Sequence, residues 1–142
     1  MTSPCTGQDP RKTRLVQTPP TPVVHIVDDD DAVRDGLVAL LSIRGLDVQA
    51  YASAELFLAT DLTGACGCVV TDVQMGVTSG LDLLRALRNA DVGLPVIVMT
   101  GRAERNTAQA AVAGGAAAFL NKPFGPDEIV AAVQRAIASC AA

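Results

Sequence analysis

Aromatic residues are scarce: the 142 residues include no Trp, one Tyr and three Phe. Together with the absence of a basic stripe, this removes the stacking and charge footprint of a nucleic-acid binder, so direct nucleic-acid binding is not expected. No run approaches the roughly 18 apolar residues of a membrane span, and no secretory-type apolar segment occurs near the start. A soluble, cytoplasmic protein without a membrane anchor is expected. Cysteines are also few. Cys5, Cys66, Cys68 and Cys140 have neither disulfide-framework nor zinc spacing, so reduced thiols are expected. Lysine is rarer still, with two residues against nine arginines.

What is present is concentrated. The chain has 15 acidic and 11 basic residues, and four of the acids are consecutive, Asp28 to Asp31. Without those four the balance is even, so the net charge of −4 belongs to one place. Neighbouring carboxylates repel one another unless a cation, a helix N-terminus or water takes up the charge. They follow Val23, Val24, His25, Ile26 and Val27, a short, mostly β-branched run that reads as a buried parallel strand. With 49% apolar content, 142 residues suffice for one well-formed core and are too few for two ordinary domains. Residues 1–22 hold five of the eight prolines and the basic cluster Arg11, Lys12 and Arg14, without apolar periodicity. They are expected to form a flexible extension.

From residue 23 the apolar period alternates between strand and helix. Val33, Leu37, Leu40 and Leu41 mark a first helix, begun by an aspartate cap and closed by Gly45. A second strand is expected over 47–51, then a short helix capped by Ser53 with Leu56 and Phe57. The third strand covers 68–71 and ends at Asp72, and Leu81, Leu84 and Leu87 mark the next helix. Val96 to Met99 form a fourth strand, followed by an Ala-rich fourth helix from about Ala103 to Gly114 and Gly115. A fifth strand, 117–120, leads to a last helix with Ile129, Val133, Ala136 and Ile137 inward. The expected fold is α/β: a doubly wound five-stranded parallel sheet, flavodoxin-like order 2-1-3-4-5, with helices on both faces.

In such a sheet ligands bind outside the carboxyl ends of the strands. The residues there are Asp28 to Asp31, Asp72, Thr100 and Lys122. Aspartates from two strands suit Mg²⁺, which prefers oxygen ligands and keeps several waters. Lys122 is the only lysine beyond residue 22, and it suits phosphoryl oxygens as a compact charge, to which the Thr100 hydroxyl can also donate. His25 reads instead as a hydrogen-bonded core residue, Thr71 as strand packing and Ser79 as a helix cap.

The ordered motifs closely resemble the receiver domain of bacterial two-component response regulators, most nearly the FixJ-type branch. They are Val-His-Ile-Val-Asp-Asp (24–29), Thr-Asp-Val-Gln-Met (71–75), Ser-Gly-Leu-Asp-Leu-Leu (79–84), Met-Thr-Gly (99–101) and Phe-Leu-Asn-Lys-Pro-Phe (119–124). The spacings are also typical of the family: 44 residues from Asp28 to Asp72, 28 to Thr100 and 22 to Lys122. The resemblance implies that residues 23–142 form a receiver that catalyses its own phosphorylation and dephosphorylation and is not a multi-turnover enzyme. Asp72 would accept a phosphoryl group from a sensor histidine kinase or phosphotransfer protein. Mg²⁺, for which Mn²⁺ can substitute, would be held by Asp29, Asp72 and the Gln74 carbonyl, with Asp28 acting through water. Asp30 and Asp31 would serve the first helix. Thr100 and Phe119 would form the switch pair that reshapes the face of the fourth helix, fifth strand and fifth helix, through which a homodimer is expected. A cis Lys122–Pro123 bond is also implied.

Two features depart from the family pattern. Gly76 stands where proline is usual, which implies a more mobile loop and a phosphorylation that is slower or needs a specific kinase. FixJ-type proteins usually continue into a DNA-binding domain, and these residues contain none, so output is expected through protein contacts or a domain outside this chain. Three other readings fit less well. Asp29 to Val33 match the D-x-D-x-[TV] pattern of haloacid-dehalogenase-type phosphatases, but only Asp127 and Glu128 follow the lysine, inside the last helix, where that family needs another acidic pair. A flavodoxin-like carrier would need a phosphate cradle where the aspartates stand. A degenerate receiver acting only as an interaction module would not need Asp72, Thr100 and Lys122 intact.

Overall fold

The structure, a computed structural model, describes residues 21–62, 65–73, 79–100, 115–122 and 124–141, with side chains described as far as residue 138. Gln74, Gly76, the helix expected from Ala103, the Lys122–Pro123 bond and nearly all of the N-terminal extension lie outside these residues.

Five strands, β1 (Val23–Val27), β2 (Asp47–Tyr51), β3 (Gly67–Asp72), β4 (Val96–Thr100) and β5 (Ala118–Asn121), form one parallel sheet. Its order is β2-β1-β3-β4-β5, the flavodoxin-like order expected for this fold. The three inner strands are buried on both faces, which is why they read as continuous apolar runs, while β2 and β5 form the edges. Side chains alternate between two cores. Val24, Ile26, Val70, Ile97 and Met99 pack with α1 (Asp31–Ile43) and the C-terminal helix (Pro126–Ala141). Val27, Val69, Val96 and Val98 pack with α2 (Ala54–Leu58) and α3 (Gly80–Asn89). Each fully buried Leu or Ile in these layers contributes about 1.5–3 kcal/mol through burial.

Helix ends follow local chemistry. The Asp30 carboxylate caps α1, accepting from the N–H groups of Ala32 (2.9 Å) and Val33 (3.2 Å), and Asp31 is the first helical residue. Both therefore act at the helix start, as expected. At the other end Gly45 takes φ +82°. There the N–H of Gly45 reaches Ser42 O and that of Leu46 reaches Leu41 O, a Schellman closure. Ser79 and Asp82 form a reciprocal capping box on α3. His25 is buried and hydrogen-bonds Tyr51 Oη through Nδ1 at 3.2 Å, the core role read from the sequence.

Cys68 is a free, buried thiol, whereas Cys66 is disulfide-bonded. The expectation of reduced thiols therefore fails for Cys66, because residue spacing does not report which sulfurs meet in space. Among the described residues no helix is long and apolar enough to cross a membrane.

Candidate functional site

The parallel register brings the strand ends level. Val27 pairs with Thr71, Asp72 with Met99, and Thr100 with Asn121. The ladder continues one residue further, with Asp28 N–H on Tyr51 O (3.1 Å), Val73 N–H on Met99 O (3.0 Å) and Lys122 N–H on Thr100 O (2.7 Å). Asp28, Asp72 and Lys122 thus occupy the last rungs of a rigid sheet.

Asp72 is the final residue of β3, nearly buried, and its Oδ2 accepts from Lys122 Nζ at 2.9 Å. Asp28 is fully buried. Its Oδ1 accepts from Asp30 N–H at 2.9 Å and its main-chain carbonyl from Arg34 Nη1 at 2.8 Å. Oδ2 of Asp28 has no hydrogen-bond partner among the described residues. Burial raises the Asp28 pKa above the ordinary carboxylate range; the Asp30 N–H and Lys122 oppose the rise, and the Asp72 and Asp29 charges add to it. Asp29 is exposed beside it.

Among the described residues no three His, Cys, Asp or Glu side chains chelate an ion by themselves. A hard, hydrated cation does not require that, since Mg²⁺ keeps several waters. A buried carboxylate oxygen with no donor, flanked by two further carboxylates, is the environment such a cation neutralises. The donor set therefore fits Mg²⁺. Gln74, the expected main-chain ligand, lies outside the described residues.

Thr100 ends β4, fully buried. Its hydroxyl donates to Asn121 Oδ1 at 3.1 Å. Alternation places Thr100 on the α3 side of the sheet with Val96 and Val98, and Phe119 and Asn121 share that side because Ala118 and Leu120 face the other core. Phe119 is 42% exposed, so its side chain is turned to the outside rather than buried in the core.

The sequence reading missed three contributors. Arg34 holds the Asp28 carbonyl from one turn into α1. Gly80 opens α3 so close to Asp72 that a Cβ there would lie 2.6 Å from the Asp72 carbonyl oxygen. Asn121 holds the Thr100 hydroxyl. Only Gly80 left a sequence signal, a glycine directly after a helix cap.

Comparison with known proteins agrees with this arrangement. The family model for the response regulator receiver domain matches residues 24–134. The transcriptional regulatory protein FixJ of Azorhizobium caulinodans is 46% identical over 80% of this chain and 54% of its own length. The response regulator protein TodT of Pseudomonas putida is 37% identical over 81% of this chain and 51% of its own. The chain thus spans about half the length of the curated relatives it matches. The crystal structure of FixJ-N superposes with a TM-score of 0.79 at 39% identity, covering 84% of this chain and 95% of that one. Full-length FixJ from B. japonicum gives 0.77 at 35% identity, over 84% and 59%. Since the family model spans most of the chain and FixJ aligns with four fifths of it, the chain belongs to the receiver domains of two-component response regulators, on their FixJ-like branch.

Proposed function

We propose that Asp72 takes the phosphoryl group from a phosphohistidine on a sensor histidine kinase or phosphotransfer protein, within a receiver unit spanning residues 23–142. Receivers are phosphoacceptor modules that promote their own phosphorylation and dephosphorylation rather than multi-turnover enzymes. The observation that carries the assignment is the Asp72–Lys122 contact of 2.9 Å, made beside the buried Asp28 carboxylate. An Asp72 carboxylate oxygen attacks phosphorus, the phosphorus–nitrogen bond breaks, and the imidazole leaves with the electron pair and takes up a proton. Lys122 starts on Asp72 and can follow the charge onto the phosphoryl oxygens, so its partner exchange needs little movement. Asp29, Asp72 and the Gln74 carbonyl would hold Mg²⁺, with Asp28 acting through water. When bound, the ion neutralises charge on the carboxylates and on the phosphoryl oxygens. Gly80 lets α3 pack directly on the Asp72 main chain and keeps that carboxylate in place.

Incubation with acetyl phosphate and Mg²⁺ is expected to add one phosphoryl group, labile to hydroxylamine and absent from Asp72→Asn. An equal gain in Asp72→Asn would overturn the assignment. Signalling would follow from movement of Thr100 toward the phosphoryl group and of Phe119 inward, changing the face made with the C-terminal helix. That face would carry a phosphorylation-dependent homodimer or a protein output partner. Sedimentation of the protein with Mg²⁺ and beryllofluoride is expected to show dimer where the untreated protein is monomer. The same mass under both conditions would remove the dimer from the mechanism.

A further inference from the structure

We propose that Asn121 is a positioning residue that holds the Thr100 hydroxyl in the resting state and so sets how readily the receiver switches. This inference rests on the reading of Asp72 and Thr100 given above. Thr100 is 0% exposed, so its hydroxyl cannot turn to bulk water and must find a partner inside the protein. It donates to Asn121 Oδ1 at 3.1 Å. The parallel register makes the two residues cross-strand neighbours, and alternation puts both on the sheet side that carries Phe119.

The position of Asn121 gives the contact its consequence. Residue 121 lies between Phe119 and Lys122, and the Lys122 N–H is bonded to Thr100 O at 2.7 Å while its ammonium holds Asp72. The short segment 119–122 therefore carries the switch ring and touches the acceptor carboxylate and the switch hydroxyl. Asn121 itself is exposed, so the packing of the fold does not require an amide there. A hydroxyl that turns toward a phosphoryl group on Asp72 first leaves Asn121. With the bond made and the Phe119 ring outward, the resting arrangement is favoured over the switched one by the net worth of one neutral hydrogen bond, an equilibrium factor of about two- to tenfold.

The test uses two substitutions with opposite expected signs. Asn121→Leu keeps the size and removes the acceptor, whereas Asn121→Asp keeps an acceptor and adds charge. NMR signals of the Thr100 methyl and the Phe119 ring report the switched population of the unphosphorylated protein. Asn121→Leu is expected to raise it about two- to tenfold and Asn121→Asp to lower it. In a Thr100→Ala background, read at Phe119, neither substitution should act. Shifts of the same sign in both variants, or shifts that survive in Thr100→Ala, would overturn the proposal. Labelling by acetyl phosphate with Mg²⁺ is followed on the same samples. No label on the unsubstituted protein overturns the phosphoacceptor reading, whereas normal labelling without a Thr100-dependent effect of residue 121 overturns only the role of Asn121.

Discussion

The buried Oδ2 of Asp28 has no donor among the described residues, and burial together with the Asp72 and Asp29 charges opposes its ionisation. A carboxylate in that position destabilises the metal-free fold. Two residues on, the Asp30 carboxylate accepts two N–H groups at the start of α1 and stabilises it. Neighbouring members of one acidic run thus have opposite effects on stability. Asp28→Asn, which can still accept from the Asp30 N–H, is expected to raise stability by about 1–3 kcal/mol in metal-free buffer. It should also weaken the stabilisation that added Mg²⁺ is expected to give the unsubstituted protein. Asp30→Ala should lower stability by about 1 kcal/mol and keep the Mg²⁺ response. Urea unfolding with and without Mg²⁺ checks all three; a destabilised metal-free Asp28→Asn would contradict this account.

The strands show how much could be read in advance. Direction and burial followed from apolar runs and their spacing, because a parallel sheet covered on both faces requires such runs; the order came from the flavodoxin-like arrangement that brings the polar strand ends together. The ends of β1, β2 and β3 lie where the sequence puts them, whereas two ends extend one residue beyond the apolar run: β4 reaches Thr100 and β5 reaches Asn121. The apolar signal stops where the polar site begins, yet the hydrogen-bond ladder continues, since Val73 N–H still meets Met99 O and Lys122 N–H meets Thr100 O. Asp28, Asp72, Thr100 and Lys122 were found because their side-chain chemistry is unusual at a strand end. Asn121 was not, because its role depends on the β4–β5 register and no residue pattern within β5 reports it. Gly80 was quoted as part of a motif, but the 2.6 Å approach to Asp72 that excludes a side chain there depends on where α3 docks. Arg34 was likewise hidden, as its target is a main-chain carbonyl six residues earlier.

At the scale of the whole molecule, two buried titratable side chains on adjacent strands limit the pH range of the fold from opposite sides. His25 in β1 sits among Tyr51 and Phe57, and burial lowers its pKa below the ordinary 6.5. As pH falls below 6.5 the unfolded chain takes up the His25 proton before the native protein does, so stability is lost toward acid down to the depressed native value. Cys68 in β3 behaves in the opposite sense: burial pushes its thiol from 9.0 up to about 12. Between those values the unfolded chain ionises first and the native protein keeps its proton, so stability falls as pH rises. Each group contributes a slope of at most about 1.4 kcal/mol per pH unit. Stability from urea unfolding at a series of pH values is therefore expected to peak between 6.5 and 9.0. His25→Phe, which preserves an aromatic ring against Tyr51 and Phe57, should flatten the acid limb between pH 6.5 and the onset of carboxylate titration. Cys68→Val should flatten the alkaline limb alone. An unchanged acid slope in His25→Phe would mean that the carboxylates at the strand ends, rather than the buried imidazole, govern the loss of structure toward low pH.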